Sequence, residues 1–138
     1  MPAVPTEQGL EQANAEFRPI RLLLVEPDRV VREALREAFE MEGFRVASAA
    51  ELAEVESSLN PRSFDCLLVD VDSETSARWA DVRILRERFQ ASMGVMSVQS
   101  CLLARAERSG ADRFWLKPLE PGEVAEWMRG ELFCPHPG

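Results

Sequence analysis

Between positions 20 and 132 the chain passes five times from a short apolar run to a longer stretch whose apolar residues recur every three or four positions. Few architectures tolerate that rhythm. The runs are too short for buried helices and show little polar alternation, so they read as strands covered on both faces. The intervening stretches are amphipathic helices that supply the cover. Right-handed crossovers between such units lead to an α/β fold with a doubly wound, five-stranded parallel sheet.

The first unit shows the logic. Ile20 to Val25 (IRLLLV) is a strand bounded by Glu26 and Pro27. Val31, Ala34, Leu35, Ala38 and Phe39 then stripe one helix face, with Arg29, Arg32, Glu33, Arg36, Glu37 and Glu40 on the wet side and Gly43 as the stop. Phe44 to Ala47 is a second strand. Ser48 and Glu51 suggest a capping box for a helix bearing Leu52, Val55 and Leu59 that ends before Pro61. Cys66 to Val69 is the third strand, followed by a helix striped by Trp79, Val82, Leu85 and Phe89. Val95 to Val98 is the fourth, before a short helix with Leu102, Leu103 and Ala106 that closes at Gly110. Arg113 to Leu116 is the fifth, and Glu120-Pro121 opens a last helix carrying Val124, Trp127, Met128 and Leu132. Residues 1–18 are polar with two early prolines and read as a flexible arm; residues 133–138 (FCPHPG) read as a tail, leaving 19–132 as one domain.

Composition narrows the partners. With 24 acidic and 16 basic residues the net charge is −8, which argues against nucleic acid as the main partner and leaves protein partners open. No apolar run approaches the ~18 residues that span a bilayer, and the first 18 residues lack the charge and apolar core of a secretory leader. Cys66, Cys101 and Cys134 are odd in number and widely spaced, which gives neither a disulfide framework nor zinc-ligand spacing. A cytoplasmic location is expected.

In open parallel sheets chemistry gathers beyond the carboxyl ends of the strands. There this chain has Glu26-Pro27-Asp28, Asp70, Gln99-Ser100 and Lys117-Pro118. Several carboxylates on one edge repel one another unless a hard cation or an ammonium compensates. The set suits Mg2+ held by oxygen ligands, with Lys117 neutralising a carboxylate or a transferred phosphoryl group, and an aspartate so placed can attack phosphorus to give an acyl phosphate.

The segments LLLVEPDRVVREAL, FDCLLVD and GADRFWLKPLEPGEV resemble the three landmarks of the two-component response-regulator receiver domain, over roughly Pro19 to Leu132. The resemblance implies a flavodoxin-like sheet in the order 2-1-3-4-5. It implies Asp70 as phosphoacceptor, Glu26 and Asp70 as Mg2+ ligands with the Asp72 backbone carbonyl, Lys117 against the phosphoryl group, and a cis bond before Pro118. Phe114 stands at the position of an aromatic switch residue, with core packing as its plain alternative. Asp28 is read as a helix cap before it is read as a ligand. The implied partners are a histidine kinase and a separate effector, since no output domain fits within these 138 residues; a monomer or weak homodimer is expected. The protein would be a phosphoacceptor and not an enzyme.

The departures are specific. Pro27 replaces the second acid of the metal pair, and Asp72-Ser73-Glu74-Thr75 replaces the usual Met-Pro segment and glycine. Gln99 aligns with the Thr or Ser that senses the phosphoryl group, with Ser97 or Ser100 as alternatives because no motif anchors that register. Asp70-Val71-Asp72-Ser73 begins like the nucleophile loop of haloacid-dehalogenase phosphatases, but it lies on the third strand in a chain too short for their cap. A Gly-x-Gly-x-x-Gly dinucleotide loop is absent, and Glu26-Pro27-Asp28 would repel a flavin phosphate. Two expectations remain: a divergent phosphoacceptor, or a receiver-derived module that binds its partner without phosphate.

Overall fold

The computed structural model describes residues 18–51, 53, 54, 60, 63–72 and 76–133, with the backbone alone for 76–78. Five strands form the sheet: β1 (Arg21–Val25), β2 (Arg45–Ala49), β3 (Cys66–Asp70), β4 (Ser92–Ser97) and β5 (Arg113–Leu116). All pairings are parallel, in the order β2-β1-β3-β4-β5. The helices described end to end are α1 (Arg29–Met41), α2 (Ser76–Arg88), α3 (Leu103–Arg108) and α4 (Pro121–Phe133), with a 3-10 turn at Ser100–Leu102 ahead of α3. The order and the all-parallel register are those of a doubly wound, flavodoxin-like sheet.

The two faces of the sheet bury separate cores, as the strand period of two requires. Leu22, Leu24, Cys66 and Leu68 pack with Phe39 of α1 and with Val124, Ala125 and Met128 of α4. Leu23, Val25, Leu67 and Val69 face the other way, onto Trp79, Val82 and Leu85 of α2 and Ala106 of α3. Each fully buried side chain of this size contributes about 1.5–3 kcal/mol, so the central strands hold the domain together. The stripes assigned to α2 and α4 face the core, with Phe89 buried just past the end of α2; of the α1 stripe Leu35 and Phe39 are buried, Val31 and Ala38 are half-buried, and Ala34 is exposed at the cleft.

Local chemistry sets the ends. Asp28 caps α1, its carboxylate accepting from the N–H groups of Val30 and Val31 at 2.9 and 3.1 Å. Gly43, at φ +93°, turns the chain out of α1 in a conformation that side chains with a Cβ avoid. Where β1 and β3 begin, Asp65 accepts from the Arg21 N–H at 2.9 Å and from the Arg18 guanidinium at 2.6 and 2.7 Å, which ties the two central strands at their amino ends.

Several boundaries differ from expectation. The second strand is Arg45–Ala49, not Phe44 to Ala47, and Phe44 instead stacks on Phe39 in the core. Ser48 therefore lies inside a strand and cannot be a helix cap; Glu54 Oε2 takes the Ala50 N–H at 3.3 Å. The fourth strand is Ser92–Ser97, not Val95 to Val98. Arg18, assigned to the arm, is docked on Asp65, and Phe133, assigned to the tail, is the last residue of α4. The rest of the arm, the tail beyond 133, the stripe Leu52, Val55 and Leu59, and the Ser73-Glu74-Thr75 loop lie outside the described residues. No helix among the described residues is long and apolar enough to cross a membrane.

Candidate functional site

Strand register assembles the site. Val25 pairs with Val69, so Glu26 and Asp70 stand one step further along on adjacent strands. Ser97 pairs with Leu116, and the Lys117 N–H extends that ladder to the Ser97 carbonyl at 2.8 Å. Side chains about 50 and 90 residues apart in the chain thus meet at one sheet edge. Arg32 of α1 braces the loop after β1, its guanidinium donating to the Glu26 carbonyl at 2.9 Å.

Lys117 is the centre. Its Nζ donates to Asp70 Oδ1 at 2.6 Å and to Glu26 Oε2 at 3.1 Å, and lies 3.1 Å from Asp72 Oδ2. Glu26 and Asp70 are each only 2% exposed. The peptide bond from Lys117 to Pro118 is cis. Beside these groups opens a cleft of about 890 Å3, lined by Glu26, Asp70, Asp72 and Lys117 together with the apolar Val30, Val31, Ala34 and Leu119.

Charge follows burial and contact. Burial, helped by the neighbouring Asp70 charge, raises the Glu26 carboxyl despite the Lys117 ammonium. Burial likewise raises Asp70, with Lys117 opposing and Asp72 adding to the rise. For Asp72 burial is outweighed by its donors Ser97, Val98 and Lys117, and the carboxyl is lowered. Lys117 is buried too, yet the carboxylates of Asp70, Glu26 and Asp72 hold its ammonium firmly protonated.

Not every residue singled out in the sequence reaches this cluster. Asp28 lines the cleft but spends its carboxylate on the helix cap. Gln99 stands two residues past the end of β4, and its side-chain carbonyl accepts from the Cys101 thiol at 4.0 Å; Ser100 begins the 3-10 turn. Ser97 instead closes β4, and its buried hydroxyl donates to Asp72 Oδ1 at 2.6 Å. The Val98 N–H joins it there at 2.7 Å. Ser97 stood in the sequence only as an alternative to Gln99, because no motif anchors the register of that segment. Phe114 is half-buried and packs on the α2 side of the sheet. Trp115 packs edge-on against Trp127 on the other side, beneath the Arg113 guanidinium.

The donor chemistry of the edge fits a hard divalent cation. Two buried carboxylates on adjacent strand ends, with a third beside them, carry more negative charge than one ammonium offsets. Among the described residues no three His, Cys, Asp or Glu side chains form a ready-made metal cage, so backbone oxygen or water must complete any coordination shell.

A parallel sheet in this order, with acids from the first and third strands facing a lysine from the fifth, defines a receiver-type α/β domain. Residues 22–129 match the response regulator receiver domain family, and the chain belongs to that family. It therefore has its place in two-component signalling, where receiver domains serve as phosphoacceptors. Transcriptional regulatory protein CpxR of Escherichia coli K12 is 30% identical over 118 residues, which cover 84% of this chain and 50% of CpxR. The chain thus spans about half the length of the curated relatives it matches. Among solved structures, the receiver domain of the TMAO respiratory system response regulator TorR superposes with a TM-score of 0.73 at 24% identity, over 86% of this chain and all of that one. The receiver domain of the sensor histidine kinase PA1611 of Pseudomonas aeruginosa PAO1, described with a magnesium ion in its active-site cleft, gives 0.70 at 18% identity, over 83% and 98%.

Proposed function

We propose that the domain accepts a phosphoryl group on Asp70 from a histidine kinase and passes the signal by protein–protein contact to a separate effector. The observation that carries this is the Lys117 ammonium, 2.6 Å from Asp70 Oδ1 and within reach of Glu26 and Asp72. An ammonium so placed balances an incoming phosphoryl charge and orients the attacking carboxylate. In the transfer, Asp70 Oδ forms a bond to phosphorus while the phosphorus–nitrogen bond to the donor histidine breaks, and the electron pair leaves with the imidazole. Lys117 remains against the product oxygens. Glu26 keeps Lys117 aligned through its own carboxylate and, with Asp70 and the Asp72 carbonyl, would hold Mg2+. The ion supplies neutralisation of charge on the phosphoryl oxygens when bound. Pro27 offers no carboxylate where the family has a second acid, so Mg2+ affinity and the rate of phosphorylation are reduced.

The same Pro27 supports a second reading, that of an interaction module that holds one state without phosphate. Incubation with acetyl phosphate across a wide Mg2+ range, followed by intact mass, separates the two. Gain of one phosphoryl group, absent in Asp70→Asn, is the expected result. No gain at any Mg2+ concentration selects the phosphate-independent module.

A further inference from the structure

Asp72 stands outside the roles given so far, since only its backbone carbonyl has been assigned to Mg2+. Its side chain is engaged in an unusual way. The Ser97 hydroxyl and the Val98 N–H both donate to Oδ1, at 2.6 and 2.7 Å, and the Lys117 ammonium lies 3.1 Å from Oδ2. The three donors come from the end of β4, the loop beyond it, and the residue after β5. They differ in chemistry (a hydroxyl, an amide and an ammonium), and they converge on one carboxylate. Charge-assisted bonds of this length are the strong ones.

We propose that the Asp72 carboxylate is an internal anion seated where a phosphoryl group on Asp70 would find its donors, so that the loop after β4 is held in an anion-engaged arrangement before any phosphate arrives. The geometry is tight. Asp70 and Asp72 share the Lys117 ammonium, and the Asp72 N–H is 3.4 Å from Asp70 Oδ2. A phosphoryl group on Asp70 would bring oxygens bearing close to two negative charges into the space beside Asp72. Ser97 has one proton to donate and gives it to Asp72; its oxygen already accepts the Gln99 N–H at 2.9 Å. The entering group must therefore displace a like-charged competitor from its donors. Two effects follow, slower phosphoryl uptake and a loop whose shape changes little on phosphorylation. The kinetic half of the proposal rests on the phosphoacceptor reading; the occupied seat does not.

The test uses the full chain, 15N-labelled, with acetyl phosphate and Mg2+. Asp70 Oδ attacks phosphorus, the phosphorus–oxygen bond to acetate breaks, and acetate leaves with the electron pair. Wild type is compared with Asp72→Ala and with Asp72→Asn, which drops the charge but retains an acceptor oxygen. The expected result has three parts. Asp72→Ala moves the Val98 amide resonance upfield before any phosphate is added, and initial phosphoryl uptake rises roughly tenfold, the equivalent of one charge-assisted bond. Phosphorylation of that variant then returns the Val98 resonance toward its wild-type position. Asp72→Asn gives a similar gain in rate with a smaller amide shift. An unmoved Val98 resonance in Asp72→Ala, or measurable uptake at equal rates in all three proteins, overturns the proposal. If no protein takes up phosphate but Val98 still moves, the phosphoacceptor reading fails and the occupied seat stands.

Discussion

Replacing Lys117 with methionine removes the one ammonium that faces Glu26, Asp70 and Asp72 while keeping most of the side-chain stem. In the native protein Nζ is within 3.1 Å of all three carboxylates, and the Glu26 and Asp70 side chains are 2% and 3% exposed. Little water can take the place of the lost charge. Stripping one partner from a buried ionic group typically costs about 3–5 kcal/mol, because the remaining charges stay buried without compensation. A domain of this size loses roughly 3–5 °C of Tm per kcal/mol, so Lys117→Met should unfold about 10–20 °C lower.

The measurement is thermal unfolding followed by circular dichroism, in buffer containing a chelator so that no divalent cation stands in for the ammonium. A cycle with Asp70→Asn isolates the charge. On its own Asp70→Asn should change stability by less than about 1 kcal/mol, because it loses a bond to Lys117 but relieves the repulsion that, after burial, helps to raise Glu26. In the Lys117→Met background the same substitution should restore more than half of the loss. A fall of under about 3 °C for Lys117→Met, or no rescue by Asp70→Asn, would refute the view that this ammonium neutralises a self-repelling edge.

Three further outcomes are expected. Asp65 is partly buried, which alone would raise its carboxyl, but Arg18 and Arg21 hold it well below the usual carboxylate range. Its stabilising contribution is therefore full above the unfolded carboxyl value of about 4, declines below it, and is lost only as pH falls through the lower folded-state value. Asp65→Asn should cost about 1.5–3 kcal/mol at pH 7 and roughly 1 kcal/mol less at pH 3 in urea titrations; an equal cost at both would show the ion pairs to be inert. Asp28→Ala removes the α1 cap and should cost about 1 kcal/mol in urea while leaving phosphoryl uptake unchanged, whereas a marked fall in uptake would make Asp28 a ligand after all. Phe39→Ala, at a position with no exposed surface and an aromatic neighbour at 5.9 Å, should lose about 3–5 kcal/mol, and a loss below 1 kcal/mol would contradict its place in the α1–α4 core.

The parallel sheet and the three residues Glu26, Asp70 and Lys117 were legible because each depends on a local signal that the fold must respect, whereas the strand order came only with the family resemblance. Continuous apolar runs mark doubly covered strands, and whatever follows such a run lies at the functional edge. The errors occurred where two signals competed. At Phe44 an aromatic beside a turn looked like a strand start, but Gly43 at positive φ sends the ring back onto Phe39, and pairing begins at Arg45. At β4 the run SMGVMS mixes serines and glycine with apolar residues, so hydropathy started the strand three residues late, ended it one residue late, and gave Gln99 the position after its end. Register corrects this, since Gly94 must face Arg113 for Ser97 to meet Leu116.

Asp72 shows why a site of this kind is only half written in the chain. An acid two residues past a strand end is ordinary in sequence, since such loops are wet and acids are common in them. Its meaning depends on Ser97 and Val98, 25 and 26 residues away, and that separation becomes contact only through the register of β3 on β4. Strand ends determine which residues share an edge; side-chain bonds determine what state the edge is in. A family motif reports the first and is silent on the second. Two receivers with the same acids and the same lysine can therefore differ in whether their donors wait for a phosphoryl group or are already occupied, and here a carboxylate from the chain itself occupies them.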